Sequence, residues 1–291
     1  MNHNPQPSIT VNVDVTNPGQ FFACCGMLEL ADRLWPGAEG WFNADGSEFH
    51  IARNGTLDEL INAFKKVTIS SSLTPDEQKR LATLLSVAKT SLTTEDIEEK
   101  RRLQAAWRIE RLWVLPPFNL RLDWWRDDRG NRTDLKTWAA KQMVFEMTSA
   151  MMVAVQRDLA ENPKVDGKLF HSVQDDSLPF NFDSDLCRTG NARDAGFSAD
   201  TLNLKSEYRP LLELLAFFGL QRFRPQAAEM QEEFTYCVWT IPLPVSVAGA
   251  AASGNLELTR STQYCFELFH RTKYMKAFLP AQPYQRSPTD G

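Results

Sequence analysis

The sequence predicts a mixed α+β fold that opens with a β-α-β-β unit, and three stretches support this prediction. Residues 9–15 alternate apolar and polar side chains, which is the period of a strand with one buried face. An apolar helix follows directly, and the runs Trp41-Phe42 and Phe49-His50-Ile51 then flank a turn. This order is compatible with a ferredoxin-like half, to which a helical layer and further antiparallel strands are added.

The first predicted helix combines large apolar residues with small ones. Asn17 is a favourable N-cap, and Phe21, Phe22 and Cys25 recur at helical spacing, so we expect this face to be buried. A glycine inside a helix costs about 1 kcal/mol relative to alanine, so Gly26 indicates the close approach of another backbone. We expect a sheet or a partner subunit to pack against Phe21, Phe22, Cys25 and Gly26.

The rest of the chain is interpreted from apolar periodicity and from residues that break helices and strands. Helices are predicted over residues 57–67, 75–89, 95–112, 135–159 and 210–218. Strands are predicted over residues 119–125, 233–241 and 263–269. Between residues 166 and 206 the chain is rich in Asp, Ser, Asn and Gly, which predicts irregular structure.

Two α+β parts are predicted, because the Pro116-Pro117 pair interrupts the pattern after the helical stretch. The N-terminal unit with its helical insertion is residues 1–115, and the C-terminal part is residues 116–280. Residues 281–291 are predicted to be a disordered tail. A single compact domain is the alternative, since one large core can accommodate 291 residues.

Composition and charge exclude several classes of protein. No apolar run reaches the roughly 18 residues that a membrane span requires, and the first residues lack a signal-peptide pattern, so a cytoplasmic protein is predicted. The five cysteines are an odd number and favour reduced thiols over disulfides. The formal net charge of -5 argues against a protein that coats nucleic acid over its whole surface. Local basic strips remain compatible with that total.

The sequence lacks the motifs of the common catalytic and cofactor sites. It has no P-loop, no dinucleotide-binding glycine motif and no nucleophile elbow, and its four histidines are far apart. No enzyme, cofactor or structural zinc site is therefore predicted. Asp175-Asp176 and Asp183-x-Asp185 have the carboxylates that a divalent cation needs, but acidic loops are more often simply solvated.

The strongest candidate for a functional surface interleaves cations with tryptophans between residues 121 and 141. Arginine and lysine neutralise phosphates, and an exposed indole stacks on a base with about 1–3 kcal/mol. The stacking or wedge candidates are Trp124 and Trp125. The candidate nucleic-acid contacts are Arg121, Arg126, Arg129, Arg132, Lys136 and Lys141. The alternative is that both tryptophans belong to the core and that the acids pair with the arginines, namely Asp123, Asp127, Asp128 and Asp134.

Further candidates for nucleic-acid contact lie nearer the C-terminus, and they are Arg222, Arg224, Arg271, Lys273 and Lys276. Arg222 and Arg224 would project to one side of an extended segment, where they could grip phosphates. The alternative is a polar edge around a buried Phe223. Lys273 and Lys276 have helical i, i+3 spacing, which suits a phosphate track or plain solvation.

Four ordered motifs together resemble one family. They are Asn17-Pro18-Gly19-Gln20-Phe21-Phe22-Ala23-Cys24-Cys25-Gly26, Leu122-Asp123-Trp124-Trp125 with Leu135-Lys136-Thr137-Trp138-Ala139, Asp194-Ala195-Gly196-Phe197-Ser198, and Gly219-Leu220-Gln221-Arg222-Phe223-Arg224-Pro225. The chain is similar in these motifs to the short large-subunit family (Cas-eight-like, Csb-three) of subtype I-G, also called I-U, CRISPR systems. The resemblance covers nearly the whole chain. Ala140 departs from it, since the family pattern has glycine there, which puts a tight backbone role at that position in doubt.

This resemblance implies a non-catalytic subunit of Cascade, the crRNA-guided surveillance complex of CRISPR antiviral defense. Such a subunit lies near the crRNA 5′ region, helps to recognise the PAM of target double-stranded DNA and supports the displaced strand. The implied partners are the backbone and crRNA-capping subunits of the complex, crRNA and target DNA. A helicase-nuclease is recruited later, and neither a membrane nor a cofactor is implied.

Two alternatives from other classes stay open. A ferredoxin-like crRNA-processing endoribonuclease would use a histidine such as His50 or His171 as general acid or base. A purely structural adaptor would pack its Cys25-Gly26 helix on another subunit of the complex and would touch no nucleic acid. Loss of RNA cleavage in a histidine variant would favour the first, and salt-independent assembly would favour the second.

Overall fold

The first elements are the strand β1 (Ile9–Asn12), the helix α1 (Pro18–Leu34) and the strands β2 (Glu39–Phe42) and β3 (Glu48–Ala52). They confirm the predicted β-α-β-β unit within a mixed α+β fold. The computed structural model describes residues 5–126, 133–139, 142–162, 170–175, 177–189, 206–228, 232–256, 258–259, 261–270 and 276–284.

Helices form most of the middle of the chain. Those in the described ranges, after α1, are α2 (Leu57–Lys65), α3 (Pro75–Ser86), α4 (Thr94–Arg108), α5 (Val144–Glu161), α6 (Ser184–Thr189), α7 (Pro210–Gly219) and α8 (Val245–Ala252). Thr56, Thr74 and Thr93 each form a capping box with the acid three residues later. Because a capping box satisfies two otherwise unpaired groups, it defines where α2, α3 and α4 begin.

The remaining strands pair antiparallel, and the longest are Glu233–Trp239 and Ser261–His270. They are β4 (Ile69–Ser71), β5 (Leu112–Val114), β6 (Leu120–Leu122), β7 (Val173–Asp175), β8 (Ser206–Tyr208), β9 (Gln226–Ala227), β10 (Glu233–Trp239), β11 (Leu243–Pro244), β12 (Ser261–His270), β13 (Lys276–Phe278) and β14 (Gln282–Pro283). The sheets have the strand orders β1-β3-β2-β11, β13-β12-β10-β9, β4-β5-β6 and β7-β8, and β14 also pairs with β12.

In the first sheet β3 lies between β1 and β2, which is the arrangement of a split β-α-β unit. Phe49 of β3 pairs with Val11 on one side and with Phe42 on the other, and all three side chains are buried. The fourth position, beside β2, belongs to β11 from the C-terminal part of the chain. The sheet is therefore completed by a distant segment.

Helices α1 and α7 cross with their backbones in contact. A Cβ atom at Gly26 would lie 2.0 Å from the carbonyl oxygen of Leu215, and one at Gly219 would lie 2.1 Å from that of Phe22. No side chain fits at either position, so the two glycines permit this close crossing. The backbone that the sequence predicted near Gly26 is thus α7 of the same chain.

One hydrophobic core connects the two parts that the sequence predicted. It contains buried residues from Ile9 to Ala281, on both sides of residue 115. Phe21 of α1 stacks on Tyr236 of β10 with ring centroids 4.2 Å apart. Both predicted parts thus contribute side chains to the same core. Leu81, Leu84, Leu103 and Met143 form a separate small cluster at α3 and α4.

Two predicted helices end or begin elsewhere than expected. Helix 95–112 stops at Arg108, because residues 112–114 pair with β4 and β6 instead. Helix 135–159 begins only at Val144. Before it, the Thr137 carbonyl accepts a hydrogen bond from the Lys276 amide at 2.8 Å, so this backbone binds β13 rather than forming a helical turn.

The predicted disordered tail is structured over its first residues. Ala281 is buried and its amide donates to the Thr16 carbonyl at 2.7 Å, and β14 pairs with β12, so the first part of the predicted tail is structured. Residues 285–291 lie outside the described residues.

Cys24, Cys25 and Cys237 are buried free thiols and Cys265 is a half-buried one, in agreement with the predicted reduced state.

The helix crossing leads to the first prediction. Gly26→Ala or Gly219→Ala forces α1 and α7 apart, and we expect each to lower the free energy of unfolding by about 3 kcal/mol, the upper part of the usual range for overpacking. Denaturant unfolding of the purified variants measures this loss. The matched control is Gly249→Ala in α8, whose added Cβ would lie 3.0 Å from the flexible Arg222 side chain. Equal stabilities for Gly26→Ala and Gly249→Ala would contradict the close crossing.

Candidate nucleic-acid interface

Two separate segments bring Arg111 and Arg121 to one face of the β4-β5-β6 sheet, and Arg108 and Arg126 line a small pocket together with Glu110. Arg108 ends α4 and Arg111 precedes β5, whereas Arg121 lies on β6 and Arg126 follows it. Because β5 and β6 pair antiparallel with Leu112 opposite Leu122, residues 111 and 123 are neighbours. The arginine surface is defined here as Arg108, Arg111, Trp113, Arg121 and Arg126.

Strand alternation gives this surface an aromatic member. Leu112 and Val114 of β5 are buried, so Trp113 between them points to the opposite face, where it is half-buried. Its cross-strand partner is Arg121, which is exposed. An indole and a guanidinium therefore lie side by side on the outer face of the sheet.

The carboxylate of Asp123 faces Arg111 and Arg121. Arg121 Nε donates to Asp123 Oδ2 at 3.0 Å, and Arg111 Nε lies 3.8 Å from the same oxygen. Burial raises the pKa of Asp123, but hydrogen bonds from Arg121 and Gln221 outweigh it and the pKa lies below its ordinary value. Within residues 107–126 the sequence has four arginines and two acids, so the net charge is about +2.

The second of those acids, Glu110, points inward and lines a small pocket with Arg126, Lys136 and Trp138. Its Oε1 accepts a hydrogen bond from the Ser71 hydroxyl at 2.6 Å, and Oε2 is buried without a partner among the described residues. Burial raises the pKa of Glu110 to about 7, although the hydrogen bond from Ser71 by itself lowers the pKa. Glu110 therefore adds little negative charge to the outer surface, although it lies between Arg108 and Arg111 in the sequence.

The tryptophans proposed for stacking lie in the core instead. Trp124 and Trp125 are 2% and 5% exposed, and they pack with Trp138 and Phe217. Trp124 Nε1 donates to the Phe217 carbonyl at 2.8 Å, so even its polar edge is used within the chain. Neither indole offers a free face to a base, and the aromatic position on the surface belongs to Trp113.

Two of the candidate lysines, Lys136 and Lys276, make hydrogen bonds within the chain. Lys136 Nζ donates to the Trp138 carbonyl at 2.5 Å and lies 4.7 Å from the centre of the Trp138 ring. Lys276 Nζ donates to the Asp134 carbonyl at 3.2 Å and lies 3.4 Å from Glu232. These contacts position both ammonium groups and partly neutralise the second.

The Arg222–Arg224 pair follows a turn after α7, in which the Arg222 and Phe223 amides donate to the Gly219 carbonyl, and not the extended segment that the sequence predicted. Both arginines are exposed and Phe223 between them is buried. Arg222 Nε donates to the buried Glu29 of α1 at 2.5 Å, so its charge compensates a core carboxylate. The alternative of a polar edge around Phe223 therefore describes Arg222 better than a phosphate grip does.

Several candidate residues cannot be placed. Those outside the described residues are Arg129, Arg132, Lys141, Arg271 and Lys273. The segments 127–132 and 140–141 adjoin Arg126 and Ala139 in the chain. Of the predicted cations near Trp124, Arg126 and Lys136 line the same pocket, and Arg121 lies beside Trp113 and Asp123.

The face of α1 that was expected to contact a partner is filled from within. Phe21, Phe22 and Cys25 have no exposed surface, and Gly26 contacts α7. Because a subunit could not reach these side chains without opening the core, the expectation of a partner-packing face on α1 is corrected. The adaptor alternative would need a different surface.

The histidine and acidic candidates also have local partners. His50 lies 3.0 Å from the Thr10 hydroxyl, and His171 is exposed. Asp183 is buried, accepts a hydrogen bond from Asn17 Nδ2 at 2.7 Å and pairs with Arg209 at 3.1 Å, while Asp185 lies 3.2 Å from the same arginine. In the described part of the chain no His, Cys, Asp and Glu cluster could hold a metal ion.

No family model, curated protein or solved structure matches this chain. Among the helices of the described ranges, none combines the length and apolar character needed to cross a membrane. The assignment of function therefore rests on the geometry of the arginine surface and on the sequence motifs.

Sequence reasoning missed Arg108, Arg111 and Trp113. The predicted helix was extended to residue 112, which would have distributed these side chains around a helix. The signal that could have found them is the alternation of Arg111, Leu112, Trp113 and Val114, which is the period of a strand.

A pH dependence of stability follows from the buried Glu213 of α7. Its Oε1 accepts hydrogen bonds from the amides of Phe182 and Asp183, both at 3.1 Å, and burial raises its pKa to about 8. A carboxyl whose pKa is higher in the folded state binds its proton better there. Its contribution to stability is therefore full below about pH 4.5 and is lost as the pH rises to about 8.

We expect Glu213→Gln to flatten this dependence and to be more stable relative to the parent at pH 8.5 than at pH 5. The parent should lose at most on the order of 5 kcal/mol of its free energy of unfolding over this pH range, since one pKa unit corresponds to about 1.4 kcal/mol, and Glu213→Gln should not show this loss. Denaturant unfolding across this pH range measures it. The exposed Glu161→Gln is the matched control and should keep the parental slope. Parallel pH profiles for Glu213→Gln and the parent would contradict the raised pKa.

Proposed function

We propose that this chain is a non-catalytic, nucleic-acid-binding subunit of a type I (I-G/I-U) CRISPR surveillance complex. The observation that supports this proposal best is the arginine surface, where cations from two separate segments converge around Trp113. The chain would bind the crRNA 5′ region, the PAM-bearing target DNA or both. The backbone subunits and the crRNA-capping subunit would be its protein partners.

The chemistry of the arginine surface suits a phosphate backbone. The guanidinium group has a planar set of donors that matches two phosphate oxygens, and it remains charged at every physiological pH. Arg108, Arg111 and Arg121 are exposed, and the Asp123 carboxylate faces the last two. Each phosphate that such a side chain neutralises releases a counterion, so binding would weaken as salt rises.

Trp113 adds a flat apolar surface next to those cations. An indole beside a guanidinium is a favourable platform for an unpaired base, because every base has a π-face that stacks. This arrangement suits the single-stranded crRNA 5′ region and a displaced DNA strand better than a closed duplex. Arg121, across the strand pair from Trp113, would contact the backbone of the same nucleotide or of its neighbour.

The positions of the family-like motifs are compatible with the proposal. The motif at residues 17–26 and the motif at residues 219–225 meet where α1 crosses α7. The motif at residues 122–125 binds the end of α7, since Gln221 Oε1 accepts hydrogen bonds from the Asp123 and Trp124 amides at 2.9 and 3.1 Å. Three motifs that are far apart in the sequence thus lie together and support the strand that carries Arg121.

Charge reversal tests the binding surface. We expect Arg111→Glu/Arg121→Glu to weaken binding of a PAM-bearing duplex and of a single-stranded oligonucleotide by at least about tenfold, and to lower the slope of log K against log salt by about 2, one unit for each lost phosphate contact. Fluorescence anisotropy over a salt titration measures both quantities.

The matched control reverses the same number of charges elsewhere. Arg53→Glu/Lys79→Glu changes two exposed cations outside the arginine surface, so it alters the net charge equally. It should reduce affinity by less than about threefold, as expected for a long-range charge effect that salt screens. Equal losses for the two double variants would show that net charge, and not this surface, governs binding.

Assignment to the surveillance complex has its own test. Coexpressed with the other subunits and a CRISPR array, the affinity-purified chain should carry crRNA and should prefer a PAM-bearing duplex over a PAM-less one. The Arg111→Glu/Arg121→Glu variant should bind both duplexes more weakly, because phosphate contacts add affinity without sequence information. A chain that assembles without RNA and ignores the duplex at every salt concentration would support the structural adaptor instead.

A further inference from the structure

The pocket beside the arginine surface contains two buried polar atoms without partners. Glu110 has no exposed surface, and its Oε2 makes no hydrogen bond among the described residues. The Nε of Arg126 is also buried without a partner, although Nη1 of the same side chain lies 3.4 Å from the Ile109 carbonyl. Buried polar groups in folded proteins nearly always have partners, so a pair of such atoms in one pocket calls for the polar groups of a ligand or for water.

These two atoms specify the ligand's hydrogen-bonding pattern. An ionised carboxylate oxygen only accepts, so Glu110 Oε2 requires an N–H or O–H donor. A guanidinium Nε–H only donates, so Arg126 requires an acceptor. The ligand must therefore present a donor and an acceptor close together. Glu110 Oε2 and Arg126 Nε do not satisfy each other, since neither atom has a hydrogen-bond partner among the described residues.

The size of the pocket limits what can enter. The centre of a water-sized group has about 20 Å³ in which to move. A single water needs about 10–15 Å³ by this measure, so one or two small polar groups fit but an aromatic ring does not. The edge of a ring that carries two adjacent polar groups can therefore enter, while the rest of the ring stays at the mouth, where Trp107 is half-buried and Lys136 contributes positive charge.

We propose that this pocket reads the exocyclic amino group of a nucleobase that carries a ring-nitrogen acceptor beside it, as cytosine and adenine do on their Watson–Crick edges. Glu110 Oε2 accepts from the amino group, and Arg126 Nε–H donates to the neighbouring ring nitrogen. Glutamate and aspartate accept from the cytosine amino group in the same way elsewhere. This inference rests on the proposed nucleic-acid function and deepens it.

Thymine and uracil present the opposite pattern and should be rejected. They place a carbonyl oxygen where cytosine has its amino group and an N–H where cytosine has its acceptor. The carbonyl would face the Glu110 carboxylate and the N–H would face the Arg126 donor. Both contacts are repulsive, so the pocket discriminates by donor and acceptor positions and not by size.

The experiment compares the full chain's affinity for dC12, dA12 and dT12 at pH 8, where Glu110 is mostly ionised, because burial raises its pKa only to about 7. We expect dC12, dA12 or both to bind about tenfold more tightly than dT12, the scale of one good base contact. The dC12 and dA12 arms tell which base is preferred. Equal affinity for all three oligonucleotides overturns the inference and leaves the proposed function standing. No binding of any of them also overturns the inference, and the charge-reversal comparison on the PAM-bearing duplex then decides the proposed function separately.

Variants assign the preference to the pocket. Glu110→Gln can donate as well as accept, so it should reduce the tenfold preference to less than about twofold. The control is Glu146→Gln, an exposed acid near Glu110 on α5, which should keep the preference. Arg126→Lys retains the charge but removes the Nε donor, so it should also lose the preference, and it tests the pocket even where Glu110→Gln does not fold. A full preference in both pocket variants overturns the inference.

Discussion

The contact between α1 and α7 at Gly26 and Gly219 is the constraint on which the rest of the structure depends. The two backbones approach so closely that neither position has room for a Cβ atom. This approach places Phe21 and Phe22 of α1 among the aromatic residues of the C-terminal sheet, and the core becomes continuous across the chain. A looser crossing would separate the first sheet from the second.

The end of α7 transmits this arrangement to the arginine surface. Gln221 hydrogen-bonds the backbone of residues 123 and 124 and the Asp123 carboxylate, and Trp124 donates to the Phe217 carbonyl. Asp123 in turn pairs with Arg111 and Arg121. The buried tryptophans thus have a positioning role, because they anchor the strand whose neighbouring side chains meet solvent.

Three buried glutamates differ in how many hydrogen-bond and ion-pair partners their carboxylates have. Glu29 pairs with Arg33 and Arg222, and Glu213 accepts from the amides of Phe182 and Asp183. Glu110 has a single hydrogen bond, from Ser71, and one oxygen without a partner among the described residues. An incompletely satisfied carboxylate is costly to keep in a fold, and such groups are concentrated at functional sites. The least satisfied of the three lies next to the arginine surface.

Local sequence alone determined the β-α-β-β opening and the helix starts at Thr56, Thr74 and Thr93, because alternation and capping depend on residues only a few positions apart. It also identified Arg121 and Arg126 as candidates. Only the tertiary structure decided that Trp124 is buried and that Arg111 joins Arg121, because both depend on which distant strands pair and on where α7 packs. Those contacts join residues far apart in the chain, and no local pattern contains them.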